Sequence, residues 1–351
     1  MKKLAFARLF FILAILGLPC IVGAQSQELP NTELINGKWF NGKSFDARTV
    51  YSMDGRFTFH RPSRIDRTVD LAGTWIVPPF GEAQGVEESD QKAIQEFLRD
   101  GVFYVKIQAN LPLTDEMKRR LPINRRDGPD VIFAGAPLTA TGGHPSALHR
   151  DMLKTGAFPG YTSDRLKDHT YFVIDSESDL DLKCSRILDL RPDFIKTILV
   201  FSDEFEKRKD QDIPDALKGL DPRLLPRIVE KAHAAKLHVS THVMNAADFH
   251  AAVAAGTAEI AHLPFATDSI MIEDAKLAAH HGTVVDTTCG VIPAIPRRLL
   301  PEAIVPQVVT AQKGNLRPLH ESASGWPSAA TLSRLLSKNS ITSKNLTSST
   351  T

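Results

Sequence analysis

The chain has 351 residues, and its 42 lysine and arginine residues against 41 aspartate and glutamate residues give a formal net charge of +1. This balance argues against a polyanion-binding surface, and the absence of a basic cluster with interleaved aromatic residues excludes nucleic acid as an expected partner. The length allows one large α/β domain beside a small one.

The first 24 residues have the layout of a secretory signal peptide. Three basic residues precede an apolar run over residues 9–22, and small residues at 22–24 precede a polar segment. This layout predicts cleavage and an exported protein, either periplasmic or secreted. The apolar run is short and is interrupted by Gly17 and Pro19, so we expect no stable membrane span after cleavage. An uncleaved N-terminal anchor is the alternative.

Cysteine usage gives little further constraint on the fold. Cys20 belongs to the predicted signal peptide, which leaves Cys184 and Cys289 far apart in the sequence. Two cysteines form neither a disulfide framework nor a zinc-ribbon spacing. They are read as two isolated buried thiols, with a single bridge as the alternative in an oxidising compartment.

Residues 25–76 predict a small β-domain. Turn dipeptides at Asn36-Gly37, Asn41-Gly42 and Asp54-Gly55 lie between short apolar or β-branched stretches. Such spacing is typical of a β-meander or of part of a β-sandwich.

Residues 77–322 predict a parallel α/β domain. Its apolar segments are Trp75–Phe80, Val102–Ile107, Val131–Ala134, Phe194–Phe201, Leu237–His242, Ile260–Leu263 and Val284–Thr287. Helical patterns between many of them include Asp90–Arg99, Pro222–Ala235, Ala246–Ala255 and Ile272–His281. Seven such strands after a small β-domain favour an incomplete (β/α)8 TIM-type barrel. An open doubly wound sheet is the alternative, but the glycine-rich phosphate loop that usually accompanies it is not in the sequence.

Polar residues at the carboxyl ends of barrel strands point toward the active face. Lys196 lies inside an apolar strand, where its charge must be paired or neutralised. It either forms a salt bridge at the barrel mouth or is carbamylated and bridges metal ions.

Two histidines end consecutive predicted strands. His242 and His262 are 20 residues apart, which is the length of one helix and its turns. The two imidazoles are therefore expected to lie on neighbouring strand ends, where they would be suitable zinc ligands. Together with Lys196, they predict a metal site.

His144 follows two glycines that allow a tight turn at the barrel mouth. It either binds substrate or is a solvent-exposed loop histidine. Asp286 follows a strand and is a further candidate. The remaining histidines are interpreted as structural or surface residues: His149, His169, His233, His250, His280, His281 and His320.

From about residue 31 to about residue 322, the chain resembles the amidohydrolase superfamily, especially its imidazolonepropionase-like and prolidase-like branch. The resembling segments are VDLAGTWIVPPFGEA, GVFYVKIQ, TATGGHP, DFIKTIL, VSTHVMNAADFHAAVAAGTAEIAHL and GTVVDTT. The resemblance implies one or two divalent metal ions, expected to be zinc, with Lys196 bridging and His242 and His262 as ligands. It also implies attack of a metal-activated hydroxide on an amide of a small or peptide-like substrate.

The chain departs from this family at the first strand. The family has a His-x-His pair there, whereas residues 81–88 read GEAQGVEE. A short in-frame loss after Ala83 accounts for the difference, and Glu82 or Glu87 is a poor substitute as an oxygen ligand.

The second departure is at the C-terminus, where the family's eighth strand carries the aspartate that acts as general base. Residues 323–351 are instead polar and rich in serine and threonine, which predicts a disordered tail. A one-base shift permits the run GVRLAIGSD over residues 323–331, the eighth-strand pattern with its aspartate. We interpret this segment as a frameshifted tail.

Three functional interpretations follow. The chain is an impaired metal-dependent hydrolase of C–N bonds, a non-catalytic protein that keeps the barrel mouth as a binding pocket, or a degraded gene product. No certain catalytic residue remains without the aspartate. The sequence leaves open whether the chain forms a homo-oligomer.

Overall fold

In a computed structural model, the chain forms two compact units, Met1–Val77 and Pro78–Thr351. The predicted signal peptide, Glu87, Cys289 and the tail from residue 323 lie outside the described residues. Among the described residues, no helix is long and apolar enough to cross a membrane. The structure describes residues 29–86, 96–111, 113, 115–125, 128–156, 158–288 and 301–322.

The first unit contains a mixed five-stranded sheet. Its order is β3-β2-β1-β4, and β5 also pairs with β1. The β1–β2 and β2–β3 pairs are antiparallel, whereas β4 and β5 run parallel to β1. The second layer of a sandwich remains a prediction. The strands are β1 (Thr32–Phe40), β2 (Phe45–Met53), β3 (Arg56–Thr58), β4 (Arg67–Asp70) and β5 (Trp75–Ile76).

Of the dipeptides predicted to form turns in this sheet, one lies in a turn and another lies within a strand. Asp54-Gly55 connects β2 to β3, and both residues have positive φ, as a tight two-residue hairpin requires. The prediction of a turn at Asn36-Gly37 is wrong, because both residues lie within β1. There the pairing register shifts between Leu34 and Gly37, and Asn36 has φ of 57°. An inserted residue of this kind is a β-bulge, which uses the same left-handed conformation as a turn.

The second unit contains two parallel sheets. One has the order β6-β7-β8 and the other β10-β9-β11-β12-β13-β14. The predicted α/β class with parallel pairing is confirmed, while closure into a barrel remains a prediction. The strands are β6 (Phe80–Val86), β7 (Val102–Ala109), β8 (Asp130–Phe133), β9 (Leu138–Thr139), β10 (Phe172–Val173), β11 (Ile195–Ile198), β12 (Val239–His242), β13 (Glu259–Ile260) and β14 (Val284–Val285).

The apolar segment Trp75–Phe80 is not one strand. Trp75 and Ile76 pair with β1 in the first unit, and Phe80 begins β6 in the second. The two prolines between them explain the break, since proline has no backbone N–H to donate to a strand ladder.

Helices connect many of the parallel strands. The predicted helix over Ile272–His281 is confirmed, and a short 3₁₀ turn over Pro222–Leu224 precedes the helix predicted from Pro222. The α-helices are α1 (Asp115–Arg120), α2 (Ser146–Lys154), α3 (Glu177–Asp189), α4 (Phe205–Arg208), α5 (Leu225–Ala234), α6 (Ala246–Ala254), α7 (Ile272–His281) and α8 (Val305–Ser322).

The main core lies between the six-stranded sheet and its helices. Helix α5 contributes an apolar face of four buried residues at helical spacing, Leu225, Ile228, Val229 and Ala232. These residues pack in one cluster with buried residues from β9, β10, β11, β12 and β13. The burial fixes the strands whose carboxyl ends carry the candidate site.

Candidate functional site

Lys196 carries a buried amine without a hydrogen-bond partner among the described residues. It lies in β11, where all four residues are buried, and only 4% of its surface is exposed. Its Nζ is fully enclosed and meets no acceptor of the described chain. Burial lowers the pKa of Lys196 from 10.5 to about 7, and Glu259 and Asp286 oppose that effect. An amine in this environment is held partly neutral.

Three imidazoles come together near the carboxyl ends of the strands. His242 is the last residue of β12, and its ring centroid lies 4.8 Å from that of His262 and 5.3 Å from that of His144. The rings of His242 and His144 stack, whereas His242 and His262 meet edge to face. The structure therefore brings together the three histidines singled out in the sequence.

These imidazoles are held in the neutral form. Burial lowers the pKa of His242 and of His262 well below 6.5, with further contributions from the neighbouring imidazoles and, for both, from Lys196. Burial also lowers the pKa of His144 to about 4. A neutral imidazole offers one acceptor nitrogen, which is the form that binds a metal ion or accepts a proton.

One hydrogen bond orients the ring of His262, and another holds the backbone of His144. Nδ1 of His262 lies 3.0 Å from the hydroxyl of Thr288, and the backbone N–H of His144 donates to the carbonyl of Lys218 at 2.9 Å. Nε2 of His242 is buried without a hydrogen-bond partner among the described residues. Buried polar atoms are normally satisfied by protein, water or a ligand, so this nitrogen and Nζ of Lys196 are two atoms to which a ligand could bind.

Asp286 lies just beyond β14. Its Oδ2 is buried without a described hydrogen-bond partner, and its other oxygen accepts a hydrogen bond from the backbone N–H of Thr288 at 3.4 Å. Burial and the charge of Glu259 raise the pKa of Asp286 to about 6. The carboxyl group is thus the acidic member of the same electrostatic environment as Lys196.

A polar network beneath the histidines escaped prediction from the sequence. Lys106 forms an ion pair with Glu259, and Gln108 donates to Glu259 at 2.7 Å. The hydroxyl of Ser240 lies 3.0 Å from acceptors on both Gln108 and Glu259. The signal was present, because Lys106, Gln108 and Glu259 are polar residues inside strands that also contain apolar ones. These contacts join β7 of one sheet to β12 and β13 of the other.

The described residues do not make a complete metal site. Across the described ranges, no three histidine, cysteine, aspartate or glutamate side chains lie where they could jointly hold a metal ion. Strand β6 ends at Val86 without a histidine, and Glu82 accepts a hydrogen bond from the backbone of Gln84 at 2.8 Å. The free nitrogen of His242 suits a metal, but the donors around it do not form the set that the family resemblance implies.

Other histidines have structural surroundings. His149 is buried, its Nδ1 lies 2.8 Å from the hydroxyl of Thr170, and its ring packs against Phe158 and Tyr171. His250 lies on α6, and its Nδ1 is 2.7 Å from a carboxylate oxygen of Asp274.

No protein-family model and no curated protein sequence matches this chain. Solved structures do. A structure of A. niger ochratoxinase is similar over 85% of this chain and 74% of its own, with a TM-score of 0.62 and 16% identity. An amidohydrolase is similar over 83% and 76%, with a TM-score of 0.58 and 17% identity. A prolidase complexed with N-methylphosphonate-L-proline is similar over 84% and 76%, with a TM-score of 0.57 and 16% identity.

This chain therefore shares the fold of solved prolidases and amidohydrolases, and the resemblance seen in the sequence is confirmed at the level of the fold.

Proposed function

We propose that this chain is built on the plan of a hydrolase of C–N bonds in amides or peptides, and that catalysis is impaired in the chain as encoded. The observation that carries the proposal is the cluster of His144, His242 and His262 near buried Lys196. These are the positions that the family resemblance assigns to metal binding and substrate binding. The prolidase and amidohydrolase among the similar structures support the same reaction class.

We further propose that the two parallel sheets form an incomplete barrel. Three contacts across the interior support it: Lys106 to Glu259, Gln108 to Glu259 and Ser240 to Gln108. A second link is the exchange between Phe133 and Asp193, in which each backbone N–H donates to an oxygen of the other residue at 2.8 Å. Strands that face each other across such a polar centre are arranged as in a closed sheet.

The intact relative of this site would hold divalent metal, which we propose to be zinc, on His242, His262 and carbamylated Lys196. The metal would polarise the amide carbonyl and supply hydroxide. In this chain the first-strand histidines and the eighth-strand aspartate are absent from the sequence, so the groups that would complete hydrolysis are missing. We also propose export through the signal peptide over residues 1–24, with a small β-domain over 25–76 and a barrel over 77–322.

A non-catalytic binding protein is the second candidate. The unpartnered nitrogens of Lys196 and His242 favour it, because buried polar atoms are normally satisfied by protein, water or a ligand. A degraded gene product is the third candidate, and it predicts a purified chain that does not unfold cooperatively.

The test compares the encoded chain with a restored chain. The restored chain carries a His-x-His insertion after Ala83 and the run GVRLAIGSD in place of residues 323–331. We expect the encoded chain, in excess zinc, to hydrolyse dipeptides and N-acyl amino acids no faster than its own H242N/H262N variant. The restored chain should gain metal-dependent amide hydrolysis, provided that circular dichroism shows it folded.

Two results oppose this proposal. One is zinc-dependent turnover by the encoded chain that disappears in H242N/H262N, since catalysis would then be intact. The other is a folded, metal-loaded restored chain that hydrolyses esters or phosphoesters but no amide, since the reaction class would then be wrong.

A further inference from the structure

The hairpin formed by β2 and β3 carries exposed apolar side chains. Phe57 is 69% exposed and Phe59 is 67% exposed, and Met53 beside the turn is exposed as well. Met53 and Phe57 line one shallow depression of the surface. Single exposed apolar residues are common on protein surfaces, whereas a group of them on one hairpin indicates contact with another apolar surface.

Contacts with the sheet hold both phenylalanine rings. The ring centroid of Phe57 lies 5.3 Å from that of Trp39 on β1, and the two rings meet edge to face. The guanidinium carbon of Arg48 on β2 lies 5.1 Å from the ring centroid of Phe59. Both rings are therefore held by the sheet while most of their surface stays exposed. A contact surface that is already ordered loses little conformational entropy on binding.

The N-terminal segment of the chain enters the sheet beside this hairpin. Thr32, the first residue of β1, pairs with Ser52 of β2, which in turn pairs with Phe57 of β3. Leu29 lies against the hairpin turn, where a Cβ added to Gly55 would be 2.9 Å from Cδ1 of Leu29. The apolar run over residues 9–22 ends seven residues before Leu29, and an extended chain of that length spans about 25 Å at most. A bilayer that holds the apolar run is therefore within reach of the hairpin.

Charge contributes little to the surface around the hairpin. Residues 53–67 contain four arginines and two aspartates. Nε of Arg64 lies 2.6 Å from a carboxylate oxygen of Asp66, and Nε of Arg61 lies 3.8 Å from one of Glu33. When Glu33 is included, one positive charge remains in excess. A partner is therefore selected by its apolar character more than by its charge.

We propose that the β2–β3 hairpin docks on the surface of a lipid bilayer, with Phe57 and Phe59 at the boundary between headgroups and acyl chains. Aromatic side chains are favoured at that boundary. The entry of the chain beside the hairpin supports a lipid partner, because it keeps this part of the first unit close to a bilayer while the apolar run is inserted. Docking depends on the proposed export only for delivery of the chain to a bilayer, and it needs neither metal nor hydrolysis.

The test is quenching of Trp39 fluorescence in the full chain by vesicles of phosphatidylcholine that is brominated in its acyl chains. Substitutions W75F and W326F leave Trp39 as the single tryptophan, and its contact with Phe57 makes it a reporter of the hairpin. The variants F57S/F59S and F57L/F59L are made in this background. The matched control is L182S/M271S, which changes two similarly exposed apolar side chains of the second unit. Thermal unfolding of each variant shows that it is folded.

We expect the vesicles to quench Trp39 in the parent chain, in F57L/F59L and in L182S/M271S. F57S/F59S should lose most of the quenching and bind the vesicles about tenfold or more weakly, because two apolar side chains no longer leave water. Adding phosphatidylglycerol should raise the affinity by no more than about fivefold, because only one positive charge is in excess.

Two results overturn the proposal. One is equal quenching of the parent chain and F57S/F59S, since another part of the chain would then bring Trp39 to the lipid. The other is no quenching in any variant together with a doubled mass of the parent chain that F57S/F59S loses, since a second copy of the chain would then cover the hairpin. Neither result depends on amide hydrolysis by the restored chain.

Discussion

Burial of a histidine side chain makes the free energy of unfolding depend on pH, and His149 is such a residue. Burial lowers the pKa of His149 from 6.5 to about 4, and the imidazole of His144 adds to the effect. Between these values the unfolded chain binds a proton at His149 that the folded chain does not bind. The free energy of unfolding therefore falls as pH decreases from 6.5 toward 4 and is unaffected by this group above that window.

We predict that His149→Gln makes this pH dependence shallower. The contribution of the group across the window is on the order of 3 kcal/mol at most. Urea unfolding at several pH values from 4 to 7 measures it. Asp286, whose pKa is raised to about 6, contributes to stability in the opposite direction. The effect of His149 is therefore taken as the difference in the free energy of unfolding between the unmodified chain and His149→Gln. Parallel curves for the two chains would show that His149 does not titrate differently on folding.

The residues at the strand ends could be predicted from the sequence, but their partners could not. His242 and His262 could be predicted because the strand pattern and the 20-residue spacing are local signals. Glu259 could not be assigned, since its partner Lys106 is 153 residues away. The contact of His144 with His242 could not be predicted either, because His144 lies in a loop and no periodicity predicts the direction of a loop side chain.

At the scale of elements, Asp248 joins α6 to two loops. It is fully buried and accepts hydrogen bonds from the backbone N–H groups of Phe201, Ser202, Met244 and Asn245, and from the hydroxyl of Ser202. Those loops follow β11 and β12, which carry Lys196 and His242. The single carboxylate thus holds the positions just beyond both strand ends.

We predict that Asp248→Ala lowers the free energy of unfolding by about 3 kcal/mol or more, because several buried N–H groups lose their acceptor. Glu116→Ala, which removes an exposed ion pair with Arg120, should change it by less than about 0.5 kcal/mol. Denaturant titration measures both. Equal, small effects from the two substitutions would mean that the loops do not depend on Asp248.

The ion pair of Lys106 and Glu259 connects the two parallel sheets. We predict that Glu259→Ala destabilises the chain by about 3–5 kcal/mol, because it leaves the ammonium of Lys106 buried and unpaired. Adding Lys106→Met should recover part of the loss, since the unpaired charge is then removed as well. The same denaturant titration tests this, and a double variant less stable than the single one would argue against a charge effect.

Regular elements could be predicted where the pattern is long. Helix α7 matches its predicted bounds, and β11 and β12 lie within predicted strands. Strands β9 and β10, which have two residues each, were not predicted. Their pairing depends on neighbours distant in the sequence.

For the whole molecule, an incomplete barrel would leave strand edges open. Within the described ranges, β6 pairs only with β7, and β14 pairs only with β13. Open strand edges promote pairing with other chains. We predict that light scattering from the purified chain rises with protein concentration, and that the restored chain scatters less. A monodisperse encoded chain at all concentrations would mean that the edges are covered.

The most direct test of the proposal that the metal site is impaired is zinc binding by the purified chain at equilibrium, measured by elemental analysis after dialysis against buffered zinc. We predict less than one zinc per chain, because the sequence has no first-strand His-x-His pair and no eighth-strand aspartate. Zinc binding should fall further in H242N/H262N, because that variant also loses the imidazoles of His242 and His262. One or two tightly held zinc ions per chain, lost when His242 and His262 are replaced, would contradict this prediction and would identify an intact metal centre.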